Sequence, residues 1–475
     1  MQSTHYLHLK KIPTGITGLD EITDGGLPSN RPTLVCGNAG CGKTLLGMQF
    51  LVKGALERGE PGVFISFEEV GEDLAVNVSS LGYDLPELIN NKQLYIDHVD
   101  LQGTQLEQGG DYDLEGLFIR LGAAIDKIGA KRVVLDTIDV LFAQLPDPRR
   151  LRSELRRLFS WLKQKDVTAI VTAEAGEHTL TRHGIEEYVS DCVIALDHRV
   201  QNQLSSRRLR VVKYRGSSHG TNEYPFLIGK QGISILPVTS LTLLHAALEE
   251  RITTGITGLD EMLGGKGYYR GSSILASGTA GSGKSSFAAH LAQVSVKRGE
   301  KVLYFAYEES PAQICRNMAS IGIDLGHWLD KGLLQIHAVR PTAAGLEAHL
   351  LGILEVVREF EPQTVVIDPL NSFITGGDTG AIKVMLARLL DYLKTEGITA
   401  FCNSLTQGGE NEEQTEIGIS SLMDTWLLLR NTELEKSRSH TVTIIKSRGM
   451  SHSNAIHDYH ITDQGVIINS DASST

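Results

Sequence analysis

Residues Gly278, Thr279, Ala280, Gly281, Ser282, Gly283, Lys284 and Ser285 spell GTAGSGKS. The same spacing appears earlier as GNAGCGKT in Gly37, Asn38, Ala39, Gly40, Cys41, Gly42, Lys43 and Thr44. In the pattern G-x-x-x-x-G-K-[ST], glycines let successive backbone N–H groups turn toward phosphate oxygens, the lysine reaches the β/γ-phosphates, and the hydroxyl binds Mg²⁺. One match could be accidental in a chain with 49 glycines. Two matches in matching surroundings predict two sites for a nucleoside triphosphate with Mg²⁺.

Those surroundings repeat in order. TGITGLDE occupies residues 14–21 and again 254–261. Each copy is followed by an apolar strand candidate, TLVCG (33–37) or SILASG (273–278), then by the loop and a helical pattern. Next comes a strand ending in paired glutamates, GVFISFEE (62–69) or KVLYFAYEE (301–309). Further on, RVVLDT (132–137) and TVVIDP (364–369) are β-branched runs that end in an acid. Helical stretches follow, then the strands VTAIVTA (167–173) and ITAFCNS (398–404), and finally a turn, KYRG (213–216) or KSRG (446–449). A domain written twice is the simplest account. Alternating strands and helices predict an α/β fold, each half a mainly parallel, doubly wound sheet with its ligand beyond the carboxyl ends of the strands. The domains are expected at 1–240 and 241–466, with 467–475 a disordered tail.

The repeat assigns chemistry in pairs. Lys43 is expected to hold the phosphates of the first site, Thr44 to bind the metal, and Asp136 to support it directly or through water; Lys284, Ser285 and Asp368 take the same roles in the second. Glu68 and Glu69, like Glu308 and Glu309, end a strand, where successive residues face opposite ways. One of each pair is expected to address the attacking nucleophile while the other packs or meets a neighbour. A lone Glu-Glu also suits a solvated strand end, and recurrence favours catalysis. Lys213 with Arg215, and Lys446 with Arg448, are read as cations that reach a γ-phosphate held by the next subunit, as in ring-shaped NTPases. A basic surface hairpin is the alternative. Arg149, Arg150, Arg152, Arg156 and Arg157 suit a solvated helix face, subunit contacts or a DNA-facing stripe.

A net charge of −12 argues against a protein whose main task is wrapping nucleic acid. The five cysteines show no paired or zinc spacing, which suits a reduced cytosol. Neither a signal peptide nor a run of roughly 20 apolar residues is present, so a cytoplasmic protein away from membranes is expected. The histidines of HDYH (457–460) lack a carboxylate-bearing metal motif and are read as ordinary surface or core residues.

Taken together, the doubled loop, the paired glutamates, EEYVSDCVIAL (186–196), KYRGSSHGTNEYPF (213–226), FAYEES (305–310) and KSRGMSH (446–452) resemble the KaiC family. These are two-domain ATPases and autokinases of the cyanobacterial circadian clock, with relatives in other bacteria. The resemblance runs from about Ile12 to Gly465. It implies two tandem RecA-like P-loop NTPase domains, ATP as the nucleotide, and a hexamer with ATP at its subunit interfaces. It further implies a slow ATPase in the first domain and, in the second, phosphoryl transfer to serine or threonine across the interface. The family's acceptor pattern, similar to S-T-I-T-D-T, matches GISSLMDTWLLL (418–429), making Ser420 and Ser421 the acceptors and Thr415 an auxiliary hydroxyl. Glu308 would be the base, and Lys446 and Arg448 the cations acting in trans.

Clock members of the family continue past the segment matching ITDQG (461–465) into a tail that engages KaiA, so KaiA-type activation is not expected here. GGDYDLEGLFIRL (109–121) resembles the KaiB-contacting segment and keeps a KaiB-like partner open. Two other functions stay open: a KaiC-like ATPase switch without autokinase activity, and a RecA-like DNA-dependent ATPase, against which the acidic charge counts.

Overall fold

The apolar runs that precede the glycine-rich loops are strands buried at every position, Pro32–Gly37 and Ser273–Gly278. Continuous burial of this kind marks central parallel strands covered by helices on both faces. The computed structural model describes residues 9–79, 81–99, 114–143, 147–176, 179–182, 184, 186–201, 204–230, 232–235, 248–340, 345–376, 379–406, 417–434 and 437–469. The chain divides into two units, Met1–Ser240 and Leu241–Thr475.

Among the described residues, each unit holds a nine-stranded sheet. In the first unit the order is Gly232–Ile235, Glu223–Gly229, Leu204–Tyr214, Cys192–Gln201, Pro32–Gly37, Thr168–Glu174, Arg132–Asp136, Gly62–Ser66 and Leu94–His98. The strands from Cys192–Gln201 to Leu94–His98 are parallel, and the other three extend the sheet antiparallel. The second unit repeats the order as Gly465–Ile468, His457–Thr462, Ser437–Ser447, Thr425–Leu434, Ser273–Gly278, Thr399–Leu405, Thr364–Asp368, Val302–Ala306 and Leu334–Ala338. Two mainly parallel sheets flanked by helices are the tandem RecA-like α/β architecture.

Strand side chains alternate between two cores, as period-two geometry requires. Val35, Phe64, Val134 and Ile170 pack with the helix Lys43–Arg58. Leu34, Val63, Val133 and Val171 face the helices Glu115–Ile128 and Pro148–Gln164. In the second unit Ile274, Tyr304, Val366 and Phe401 pack with Lys284–Lys297.

Two expectations shift. Strand geometry ends at Ser66 and Ala306, so both glutamate pairs stand in the bend beyond the strands. The reason is that the sheet contact closes one residue later, where Phe67 N donates to Asp136 O and Tyr307 N to Asp368 O. Ile467 and Ile468, assigned to the tail from sequence, belong to the strand Gly465–Ile468, whose alternating side chains bury Val466 and Ile468.

One buried cation sits beneath the first loop's helix. Arg132 is fully buried and donates to Phe50 O at 2.8 Å, Pro13 O at 2.9 Å and Glu60 Oε2 at 2.8 Å. Burial pulls its guanidinium below the ordinary range despite the Glu60 carboxylate. Truncating one partner of such a pair leaves the other uncompensated, so Arg132→Ala is expected to destabilise the first unit by about 3–5 kcal/mol. Urea unfolding followed through Trp161, with Trp328 and Trp426 replaced by phenylalanine, measures it.

Of the arginine run, Arg157 pairs with Glu115 and Glu154 and covers the Phe118 ring, while Arg152 and Arg156 are exposed. The solvated-face reading accounts for these contacts.

Candidate active sites

Each glycine-rich loop runs directly into its helix. Gly42 and Gly283, at the helix N-caps, have φ of 104° and 78°, a left-handed conformation that side chains with a Cβ adopt only under strain. The turn leaves the first N–H groups of the helix free to meet an anion. Lys43 Nζ donates to Gly37 O at 2.8 Å and Asn38 O at 3.1 Å. Lys284 Nζ does the same to Gly278 O at 2.9 Å and Thr279 O at 2.8 Å. Both ammonium groups are therefore drawn back over their own loops.

In both units the loop hydroxyl hydrogen-bonds the aspartate that ends a nearby strand. Thr44 Oγ1 donates to Asp136 Oδ2 at 2.7 Å, and Ser285 Oγ to Asp368 Oδ2 at 2.7 Å. A hydroxyl and a carboxylate form a hard-oxygen donor pair suited to Mg²⁺, which keeps waters and takes its remaining ligands from phosphates. Among the described residues no cluster of three or more His, Cys, Asp or Glu could hold a metal.

The paired glutamates separate in space. Glu69 accepts from Asn77 Nδ2 at 3.2 Å and Glu309 from Asn317 Nδ2 at 3.0 Å, tying the second member of each pair to the following helix. Glu68 remains beside the loop. Burial, followed by the Asp136 and Glu174 carboxylates, raises its pKa above the ordinary value. Glu308 likewise acts electrostatically on Lys284. In the second unit the bend is closed by Ser310, which forms a capping box with Gln313 at the start of the helix Pro311–Ala319.

Sequence reasoning missed the side chains that support these groups, and here the two units differ. Asp136 accepts a hydrogen bond from Thr172, whereas Asp368 accepts one from Tyr304 at 2.5 Å. Lys43 forms an ion pair with Glu174 at 2.8 Å. Strand register aligns Gly37 with Glu174 and Gly278 with Leu405, so the second unit has an apolar residue at the position of that carboxylate. Comparing VTAE (171–174) with CNSL (402–405) in the two repeats carries the signal.

The lysine–arginine turns lie elsewhere. Tyr214 pairs with Cys192, which pairs with Thr33 at the start of the loop-bearing strand. In the second unit Ser447 pairs with Thr425, which pairs with Ile274. Four residues at roughly 3.3 Å each separate Thr33 from Gly37, and Ile274 from Gly278. Both turns therefore occupy the sheet end opposite their own loop.

At that end the second unit gathers its candidate acceptors. Lys446 Nζ donates to Ser420 O at 2.6 Å and Arg448 Nη2 to Ser421 O at 2.7 Å. Ser421 is exposed and Ser420 half-buried, in the turn just before the strand Thr425–Leu434; Thr415 lies outside the described residues. In the first unit Lys213 Nζ donates to Glu187 O at 2.7 Å and Arg215 lies 3.6 Å from Asp191. Lys446 is held below the ordinary lysine pKa by burial and then by Arg448, and Lys213 by burial and then by Arg215.

Asp424 joins this corner to the loop-bearing strand. It accepts from Ser273 N and Ser273 Oγ, each at 2.9 Å, and pairs with Lys394 at 2.8 Å. Burial alone would raise its pKa, but the Lys394 and Ser273 hydrogen bonds outweigh it and depress the value below 3.8. A depressed carboxylate contributes stability above its unfolded pKa and loses it as pH falls through the folded value. Asp424→Asn should cost the second unit about 1–3 kcal/mol at neutral pH. The deficit should close as pH falls below 3.8, which urea unfolding at several pH values checks.

Two RecA-like domains, each with a phosphate-binding loop, a metal-capable hydroxyl–aspartate pair and an adjacent glutamate, define a tandem P-loop NTPase. The family model for KaiC ATPases matches residues 12–240 and again 252–473. The circadian clock protein KaiC2 of Synechocystis is 55% identical over 97% of this chain and 81% of its own length. The circadian clock oscillator protein KaiC of Parathermosynechococcus lividus is 38% identical over 97% of this chain and 85% of its own. That of Synechococcus elongatus is 37% identical over 96% and 88%. The chain belongs to the KaiC family of ATPases. No helix among the described residues is long and apolar enough to cross a membrane.

Proposed function

We propose that this protein hydrolyses ATP at its first site and, at its second, transfers the γ-phosphoryl group of ATP to Ser420 and Ser421 of a neighbouring copy. It works as a cytoplasmic homo-hexamer with ATP between subunits, a nucleotide-driven timing or signalling hub. One observation carries the reading: Ser420 and Ser421 share one end of the sheet with Lys446 and Arg448, which donate to their carbonyls, while the loop and Glu308 occupy the other. Donor and acceptor in the second unit can then meet only between copies.

In the transfer, Lys284 holds the β/γ-phosphates, and Ser285 and Asp368 would hold Mg²⁺, which supplies neutralisation of phosphate charge when bound. Glu308 accepts the proton of the incoming serine as its Oγ forms the new bond to Pγ; the bond from Pγ to the β–γ bridging oxygen breaks, and ADP leaves. Lys446 and Arg448 of the acceptor copy add charge at the γ-phosphate. In the first site water replaces serine and Glu68 replaces Glu308. A KaiB-like partner would meet the segment at 109–121, of which Leu114 to Leu121 lie among the described residues.

Mixing two variants tests the arrangement. Lys284→Ala removes the donor site and the double variant Ser420→Ala, Ser421→Ala removes the acceptors. With Mg²⁺ and ATP, neither alone should gain phosphate on the peptide spanning 411–430, while the mixture should label the Lys284→Ala chains. Unlabelled parent with intact ATP hydrolysis would instead indicate an ATPase switch, and DNA-stimulated turnover a DNA-dependent enzyme.

A further inference from the structure

The strand Thr399–Leu405 carries a polar side chain that has no partner. Asn403 is fully buried, and neither its Nδ2 nor its Oδ1 forms a hydrogen bond among the described residues. A side-chain amide can make roughly four hydrogen bonds, and burying one without any is costly. Strand register sets its place. Asn403 pairs with Ala276 of the loop-bearing strand and Cys402 with Ile367, which puts Asn403 level with Asp368. Alternation gives it the same face as Phe401, that of the helix Lys284–Lys297, where Ser285 donates to Asp368. Asn403 thus stands next to the hydroxyl–aspartate pair of the second loop.

The first unit fills the same position differently. Thr172 pairs with Val35 and Val171 with Leu135, so Thr172 is the counterpart of Asn403, and its hydroxyl donates to Asp136. In the second unit Asp368 accepts instead from Tyr304 on the strand beyond, and the amide is left over. Lys284 Nζ lies on the carbonyl of Gly278, two residues further along the strand with which Asn403 pairs. A triphosphate that draws this lysine outward brings its oxygens toward that end of the strand.

Resting on the reading of the second loop as an ATP site, we propose that Asn403 is a γ-phosphate-binding residue of that site. Its Nδ2 donates to a γ-phosphoryl oxygen, and its Oδ1 accepts from a water that enters with the phosphates. The bound triphosphate supplies the partners that the protein itself does not. ADP, without a γ-phosphoryl group, supplies none to Nδ2, so the amide distinguishes the two nucleotides. At the matching position the first unit has a hydroxyl already committed to Asp136.

The test uses the full chain carrying Lys43→Ala, so that binding reports the second site, with Mg²⁺ and either ADP or the non-hydrolysable analogue AMPPNP. Asn403→Leu, close in size and without an amide, should weaken AMPPNP binding about tenfold, the loss of one hydrogen bond to a charged group, and leave ADP within about twofold. Without nucleotide the same variant should unfold at a urea concentration equal to or above the parent's, because an apolar side chain replaces an unpartnered buried amide. Asn403→Thr, whose hydroxyl would serve Asp368 as Thr172 serves Asp136, should lose the same preference for AMPPNP and provides the reading if the leucine variant folds poorly. Unchanged AMPPNP affinity, equal losses for both nucleotides, or a lowered unfolding midpoint in both variants would overturn this inference alone. A Lys43→Ala parent that binds neither nucleotide would overturn the ATP-site reading and this inference with it.

Discussion

In a chain whose second site is silenced by Lys284→Ala, Glu68→Gln is expected to lower steady-state ATP turnover about a thousandfold, within the range a positioned base contributes. The amide keeps the shape of the carboxylate and loses its capacity to take a proton from the attacking water. The direction of the Glu68 pKa supports the assignment, because burial and the Asp136 and Glu174 charges make this carboxylate a better proton acceptor than an exposed one. Its neighbour is the internal control. Glu69 is held by Asn77 on the following helix, so Glu69→Gln should produce a much smaller loss. Nucleotide affinity should stay within about threefold of the parent for Glu68→Gln, since a base acts on the transition state more than on binding. Equal losses for both variants would show that the pair acts as one unit.

Glu308→Gln is expected to reduce phosphate on Ser420 and Ser421 at least a hundredfold in peptide mass spectra, with hydrolysis at the first site retained. A serine hydroxyl is a poor nucleophile at neutral pH and depends on a base at the moment of attack. Because Glu308 and the acceptors of the same unit lie at opposite sheet ends, the variant should still accept phosphate from parent subunits. Mixed with parent chains, Glu308→Gln chains should regain label while Ser420→Ala, Ser421→Ala chains do not. Label that does not return in the mixture would mean that transfer occurs within one chain, against the sheet geometry.

Much of both sites was legible because the chemistry of a phosphate loop is local. Eight consecutive residues supply the turn, the lysine and the hydroxyl, and the Walker-B acids end recognisable β-branched strands. Contacts reaching across the sheet were less legible. Glu174 is 131 residues from Lys43 in the chain, and only the comparison of VTAE with CNSL between the two repeats points to it. Tyr304 reads as one more aromatic in a strand until the neighbouring strand brings Asp368 against its hydroxyl. The glutamate pairs were seen, but the choice between partners depends on where strand pairing stops and on an asparagine eight residues further on.

The sequence by itself determined that this chain is a duplicated α/β NTPase with two phosphate loops, because repeat order, strand periodicity and contiguous motifs are properties of the linear chain. The tertiary structure alone decided which glutamate stands beside each loop and that Glu174 opposes Lys43 while Leu405 stands in the matching register. It also decided that the serines and their cations face away from their own nucleotide site. Those outcomes follow from strand order and direction, which set residues distant in sequence side by side and which no local pattern encodes.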